Sequence, residues 1–205
     1  MTAILGIDLD GSIGPVLAAD SLCGAGYNRR PEKRKIVPLA GDSAVAVSGA
    51  GRSLHLVEEN RKELAEVRED PGLFVRKLRQ ILHDDGYQRD ANETIWTHMD
   101  SAFMLANSVG LWVIDASMVP ARLPIGHPFG MGCGGEYAMG AMHICLELVC
   151  LEVVGMREDS KLGMIRTALL RSLEAAERFS IGCGGKLEMW LPKASSSEGE
   201  FVTLR

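Results

Sequence analysis

The chain has 205 residues, of which 46% are hydrophobic, 24% charged and 5% aromatic. That is the length of one domain or at most two, with enough apolar content to bury a core and to exclude disorder over most of the chain. The 27 acidic residues exceed the 22 basic ones, for a formal charge of -5, and the 23 glycines and 8 prolines fall without period, which argues against a basic nucleic-acid face and excludes collagen-like and coiled-coil chains.

Ile4 to Leu9 alternates, with Leu5, Ile7 and Leu9 on one face and Asp8 on the other, which is strand spacing. Asp10-Gly11 signals a turn, and Pro15 to Ala19 reads as a second strand. Gly24, Gly26 and the basic stretch Arg29 to Lys35 read as a loop. Ile36 to Leu39 and Ser43 to Ser48 form the next expected hairpin, turned at Gly41-Asp42. The period then changes. Ser53 to Val67 carries Leu54, Val57, Leu64 and Val67 on one side, and Phe74, Val75, Leu78, Ile81 and Leu82 repeat helical spacing after Pro71. Asp84 to Asp100 is polar and reads as a loop.

Ser101 to Asn107 and Leu111 to Asp115 predict a second strand pair, turned at Ser108 to Gly110, and Pro120 to Phe129 is an extended, proline-containing stretch. Two helices follow. Tyr137, Ala141, Ile144, Leu148 and Leu151 fall at helical spacing, as do Leu162, Ile165, Leu169, Leu173 and Ala176. Both are apolar over a wide arc, as expected of helices packed between layers. The apolar run Tyr137 to Val154 is broken by His143, Glu147 and Glu152, so it reads as a buried helix and not as a membrane span. Lys186 to Leu191 is a late strand, Ala194 to Gly199 a serine-rich spacer, and Phe201 to Leu204 either an edge strand or a tail. Runs of strands and runs of helices, without strict alternation, predict an α+β fold of two sheets with helices outside. Residues 1–192 are expected to form one domain and residues 193–205 a C-terminal tail.

The cysteines are Cys23, Cys133, Cys145, Cys150 and Cys183, an odd number with no C-x-x-C pair. That pattern predicts reduced thiols in a cytoplasmic protein, without a disulfide framework or a zinc site. Met1 to Gly14 holds Asp8 and Asp10 and no basic segment, so no secretory signal is expected. His55, His83, His98, His127 and His143 show no metal-ligand spacing, and Gly130 to Gly140 lacks the spacing of a dinucleotide loop.

Four positions could carry chemistry. A small residue after an initiator Met permits its removal, which would leave Thr2 with a hydroxyl nucleophile and a free α-amine. That amine has a reference pKa of about 7.7–8.0 and can act as general base near neutral pH. A penultimate threonine is common and carries little weight alone. Asp20 ends the apolar run Val16 to Ala19, where an acid usually caps a turn, and Lys35 ends the basic cluster Lys33, Arg34, Lys35, which by default is surface charge. If the two meet beside the first strand, they place a fixed positive charge near the Thr2 hydroxyl. Ser48-Gly49-Ala50-Gly51 ends a strand in glycine, where a backbone N–H can serve an oxyanion or simply turn into a helix.

The order Met-Thr-x-Ile-Leu-Gly, Val-Leu-Ala-Ala-Asp-Ser, Lys-Ile and Val-Ala-Val-Ser-Gly-Ala-Gly resembles the proteasome β-subunit family, which includes the bacterial protease HslV. The segment Gly130 to Ala138 is similar to the family's Gly-Ser-Gly-Gly opening of a long helix, and Cys183-Gly184-Gly185-Lys186 to its late Gly-Gly turn. The resemblance spans Thr2 to Leu191. It implies a four-layer αββα sandwich of the N-terminal-nucleophile hydrolase type and a threonine-type endopeptidase. In that reading Thr2 is the nucleophile, its amine the base, Asp20 and Lys35 the acid and lysine, and the Gly49 N–H part of the oxyanion hole. Val47, with Cys23 as neighbour, would line the pocket for the residue before the cut. The resemblance further implies no metal or cofactor, self-association into rings, a polypeptide substrate and service by an ATP-dependent unfoldase, with no nucleic acid or membrane.

The departures are specific. Two extra residues near Gly14-Pro15 lengthen the first hairpin, and the Asp20 to Lys35 loop is one residue short. Cys133 replaces the family serine near the nucleophile, and a thiol is the weaker hydrogen-bond donor. The late Asp-x-x-Ser pair is replaced either by Ser180 and Cys183 or by Glu177 and Ser180. These changes motivate two alternatives: a catalytically inactive ring or scaffold subunit, and an amidase acting on a small amide.

Overall fold

The computed structural model describes all residues except Met1 and residues 10–12, 26–27, 31, 87–100, 151–157 and 194–198. Its elements run β1 (Ile4–Leu9), β2 (Gly14–Asp20), β3 (Cys23–Ala25), β4 (Asn28–Arg30), β5 (Ile36–Ala40), β6 (Ser43–Gly49), α1 (Gly51–Glu59), α2 (Arg61–Glu66) and α3 (Pro71–Asp84). They continue through β7 (Ser101–Asn107), β8 (Gly110–Ile114), β9 (Pro120–Arg122), β10 (Phe129–Met131), α4 (Gly135–Cys150), α5 (Glu158–Phe179), β11 (Leu187–Leu191) and β12 (Glu200–Thr203).

The strands form two five-stranded antiparallel sheets. One has the order β10-β1-β2-β11-β12 and the other β5-β6-β7-β8-β9, with β3-β4 as a separate short hairpin. Three apolar layers hold them. Ile4, Leu17, Ile36, Met104, Leu111 and Trp190 pack between the sheets. Val45, Val57, Leu64, Phe74, Leu78 and Phe103 fill the space under α1 to α3. Leu5, Val16, Met142, Leu169, Leu173 and Met189 do so under α4 and α5. Both faces of each sheet are therefore covered, which is why β1 and β6 are buried through most of their length despite alternating sequences. The sheets approach closely at Gly6, where a Cβ would overlap the Met104 sulfur.

Several expectations needed correction. The region read as one helix from Ser53 to Val67 is two helices. At Asn60 the side-chain Nδ2 donates to the Leu56 carbonyl (2.9 Å) while its backbone leaves helical geometry at φ -98°, ψ 16°, the competition that makes asparagine a poor interior residue. The stretch after Gly24 is not all loop, since β3 and β4 pair there, and the stretch from Pro120 contains β9 and ends in β10. On α4, Tyr137, Ile144 and Leu148 face outward, at 49%, 62% and 63% exposure, and Ala138 and Met142 face the sheet. The helix is apolar on both arcs, so its period could not choose the inward one. For Phe201 to Leu204 the edge strand is the one found. β12 pairs with β11, and the Arg34 guanidinium, bonded to Glu188, lies 3.9 Å over the Phe201 ring. The expected loop over Asp84 to Asp100 lies mainly outside the described residues, as does most of the serine-rich spacer.

Among the described residues no helix is long and apolar enough to cross a membrane.

Candidate active site

The β1–β2 register sets Ile4 opposite Ala19, so the residues before β1 lie against the end of β2. The Asp20 N–H donates to the Ala3 carbonyl (3.1 Å), and the Ala3 N–H donates to Asp20 Oδ1 (2.8 Å). Lys35, entering β5 from the other sheet, places its Nζ 2.6 Å from the same oxygen, and the Gly184 N–H donates to Oδ2 at 2.9 Å. Asp20 and Lys35 are only 2% and 3% exposed. Withdrawing both charges from water is costly unless the pair is close and its remaining lone pairs are satisfied, and here both carboxylate oxygens have partners. One carboxylate thus ties together the chain start, the second sheet and the late turn. Thr2, itself 6% exposed, sits one residue from this tie.

The second wall comes from β10, which three residues of sequence could not announce. Its register pairs Ile4 with Met131 and so brings residues 132–134 beside Thr2. The Gly134 N–H donates to the Thr2 carbonyl at 3.1 Å, and the Thr2 N–H points at Cys133 Sγ at 3.4 Å. The glycines are dictated by this approach. Gly132 has φ +82° and a Cβ there would overlap the Thr2 carbonyl oxygen, and a Cβ at Gly134 would fall 2.5 Å from Cys183 Sγ.

Around Cys133 the structure gathers two of the residues expected from the late segment. Ser180 Oγ donates to Cys133 Sγ at 3.4 Å, and Cys183 Sγ lies 3.9 Å from it. Glu177 instead pairs with Arg205, so of the two registers left open, Ser180 with Cys183 is the one that reaches the cluster. Burial alone would raise the Cys133 thiol, but hydrogen bonds from Ser180 and from the Thr2 backbone outweigh it and hold it below the ordinary range. Cys183 goes the other way. Burial first, then the negative charge of Asp20 and of a Cys133 thiolate, push it up to about 12.

Gly49 ends β6 with φ +118° and is exposed. The turn after it is fixed from β7: the Ala50 N–H donates to Ser101 Oγ (3.1 Å), which also bonds Ser53 Oγ (2.9 Å). Sequence reading missed Ser101, Ser53 and Gly132. The two serines belong to no motif, and Gly132 lay inside the glycine-rich run without a stated role. Val47 belongs to the core with Leu54 and Val57 and is 4% exposed. Cys23 opens β3 opposite Arg30 and is half-buried. The structure does not place either in the hydrogen-bonded cluster around Thr2. A separate crevice of about 390 Å³ lies between α4 and α5, lined by Cys145, Leu148, Met164 and Arg171, and includes none of the expected site residues. Among the described residues no group of three or more His, Cys, Asp or Glu could hold a metal ion.

No protein-family model matches this sequence, and no curated protein does either. Solved structures do. BPH from Thiobacillus denitrificans in complex with epoxomicin superposes with TM-score 0.68 at 18% identity, covering 95% of this chain and 100% of that one. A second structure of BPH from Thiobacillus denitrificans gives 0.66 at 19%, covering 95% of this chain and 99% of that one. The Gly-1 mutant of Anbu from Hyphomicrobium sp. strain MC1 gives 0.69 at 15%, covering 100% of this chain and 87% of that one. The fold is the four-layer αββα sandwich of the N-terminal-nucleophile hydrolases. At these identities the likeness is one of fold alone, and none of these structures is HslV.

Proposed function

We propose that this chain is a threonine-type N-terminal-nucleophile hydrolase that cleaves peptide bonds once the bond before Thr2 is cut. The observation that carries the reading is the buried Asp20–Lys35 pair bonded to the Ala3 N–H, one residue from Thr2. A charge pair so costly to bury is retained where it has a task.

In this reading the freed α-amine takes the proton of the Thr2 hydroxyl as Oγ1 attacks the substrate carbonyl carbon. The Lys35 ammonium, fixed by Asp20, favours the developing alkoxide. Cys133 Sγ, already 3.4 Å from the Thr2 nitrogen, accepts one amine hydrogen and so turns the nitrogen lone pair toward the hydroxyl. The tetrahedral oxyanion is received by the Gly49 N–H on a turn braced by Ser101. Collapse expels the leaving amine, which regains the proton, and water then hydrolyses the ester on Thr2. The substrate class is a polypeptide. Self-association into rings, an ATP-dependent unfoldase partner and a cytoplasmic location belong to the same proposal.

The test is the intact mass of the purified protein before and after epoxomicin, the ligand described for the Thiobacillus denitrificans structure. The expected result is a chain beginning at Thr2 that gains one inhibitor, with the adduct mapped to Thr2 and absent from Thr2→Ala. A chain beginning at Thr2 that gains no adduct would overturn the peptidase and favour a scaffold subunit on the same fold.

A further inference from the structure

Cys133 and Cys183 are two free thiols brought together from positions fifty residues apart, with sulfurs 3.9 Å from one another. They differ in every respect that matters to thiol chemistry. Cys133 is exposed and takes hydrogen bonds from Ser180 Oγ and the Thr2 N–H. Cys183 is 6% exposed and lies behind it. The peptidase reading needs Cys133 only as an acceptor and gives Cys183 no task.

We propose that Cys133 and Cys183 form a hydroperoxide-reactive dithiol, Cys133 being the attacking sulfur and Cys183 the resolving one. In the first step the Cys133 thiolate attacks one peroxide oxygen. The O–O bond breaks, and the leaving hydroxide or alkoxide carries off the electron pair and is protonated by water. Cys133 becomes a sulfenic acid. In the second step Cys183 sulfur attacks that sulfur, the S–O bond breaks, and the Cys183 proton leaves with the hydroxyl as water. Two thiols are oxidised by two electrons and one peroxide is reduced. The low exposure of Cys183 does not block the second step, because its only target is already in contact. Oxidising Cys133 also removes the thiolate charge that helps to keep Cys183 protonated. To form the bond the sulfurs must close from 3.9 Å to about 2.05 Å.

The arrangement is built, not incidental. Ser180 Oγ holds Cys133, and any side chain at Gly134 would strike Cys183 Sγ. The product would take Cys133 Sγ out of its contact with the Thr2 nitrogen, so the dithiol lies where oxidation would be felt at the candidate nucleophile. The dithiol itself does not depend on Thr2 being a nucleophile.

The experiment is peroxide titration of the fully reduced full-length chain, read by intact mass and by peptide mapping. The expected result is loss of two hydrogens at about one equivalent of hydrogen peroxide, a cross-linked peptide joining Cys133 to Cys183, and full reversal by dithiothreitol. In Cys183→Ser the same treatment should leave oxygen added at Cys133 and no internal cross-link. Three outcomes would each overturn the proposal: a wild-type chain that gains two oxygens at Cys133, one that cross-links other cysteines first, or one that does not react at this dose. Cys23 and Cys145, both free and half-buried, are the internal comparison. A general reactivity of the chain would oxidise them alongside Cys133.

Discussion

Asp20 accepts hydrogen bonds from the Ala3 N–H, the Gly184 N–H and Lys35 Nζ, at 2.8, 2.9 and 2.6 Å. Its replacement is therefore a stability experiment before it is an activity experiment. Asp20→Asn keeps the size but leaves the Lys35 ammonium buried without a counter-charge. Loss of one partner of such a pair costs about 3–5 kcal/mol, so the urea midpoint should fall steeply, and a second substitution, Lys35→Met, should recover part of the loss. The two sulfurs give a pH experiment at the same scale. The Cys133 thiol lies below its ordinary range, so its thiolate persists to lower pH than that of a free cysteine, whereas Cys183 stays protonated until pH nears about 12. Iodoacetamide should therefore label Cys133 at neutral pH and spare Cys183, read by peptide mapping across a pH series. Equal labelling of both would contradict that order. Asp20 and Lys35 were legible as a pair that could meet beside the first strand, and they do meet there, one residue from Thr2. Ser101 was not, since a serine that braces a turn from another strand leaves no local mark.

Single elements were legible in proportion to their length. Helix α3 carries its start and its inward face in plain view: Asp70 caps the Leu73 N–H at 2.9 Å, Pro71 stands at the first position, and Phe74, Val75, Leu78, Ile81 and Leu82 are all buried. Strand β10 has three residues, too few to show alternation, yet it decides the site by pinning residues 132–134 against Thr2. That role predicts the effect of Gly132→Ala. The residue is held at φ +82° and its new Cβ would overlap the Thr2 carbonyl oxygen. Left-handed strain alone costs about 1–3 kcal/mol at a non-glycine residue, and the overlap adds to it by pushing Thr2 away from Cys133. Chemical denaturation should show the loss, and epoxomicin labelling should fall further than stability does. Labelling at the wild-type level would mean that β10 positions nothing. Gly51→Ala, where a Cβ meets nothing within 4 Å and φ lies outside the left-handed region, is the matched comparison.

The whole molecule sorts its apolar residues into three layers, and the sequence showed that there would be layers without showing which arc of α4 faces in. A helix with one apolar stripe declares its inward face. α4 has two, one of which carries Ala138 and Met142 against the sheet while the other leaves Ile144 and Leu148 largely exposed, with Phe179, the last residue of α5, at 62% and Ile181 just beyond it at 89%. Water exacts about 25 cal/mol for each Å² of apolar surface left exposed, so a chain that functions alone gains nothing from this second stripe. The proposed self-association accounts for it. Light scattering on the native protein should then give a mass several times that of one chain, and Ile144→Lys combined with Leu148→Lys should lower that mass while far-UV circular dichroism stays unchanged. The contrasting variant is Trp190→Ala, which empties the largest buried side chain from between the sheets. Its cost of about 3–5 kcal/mol should appear in the unfolding curve. The two experiments separate a surface made for another copy from a core made for this one. A native mass equal to a single chain would remove the ring from the proposal and leave a hydrolase that works as a monomer.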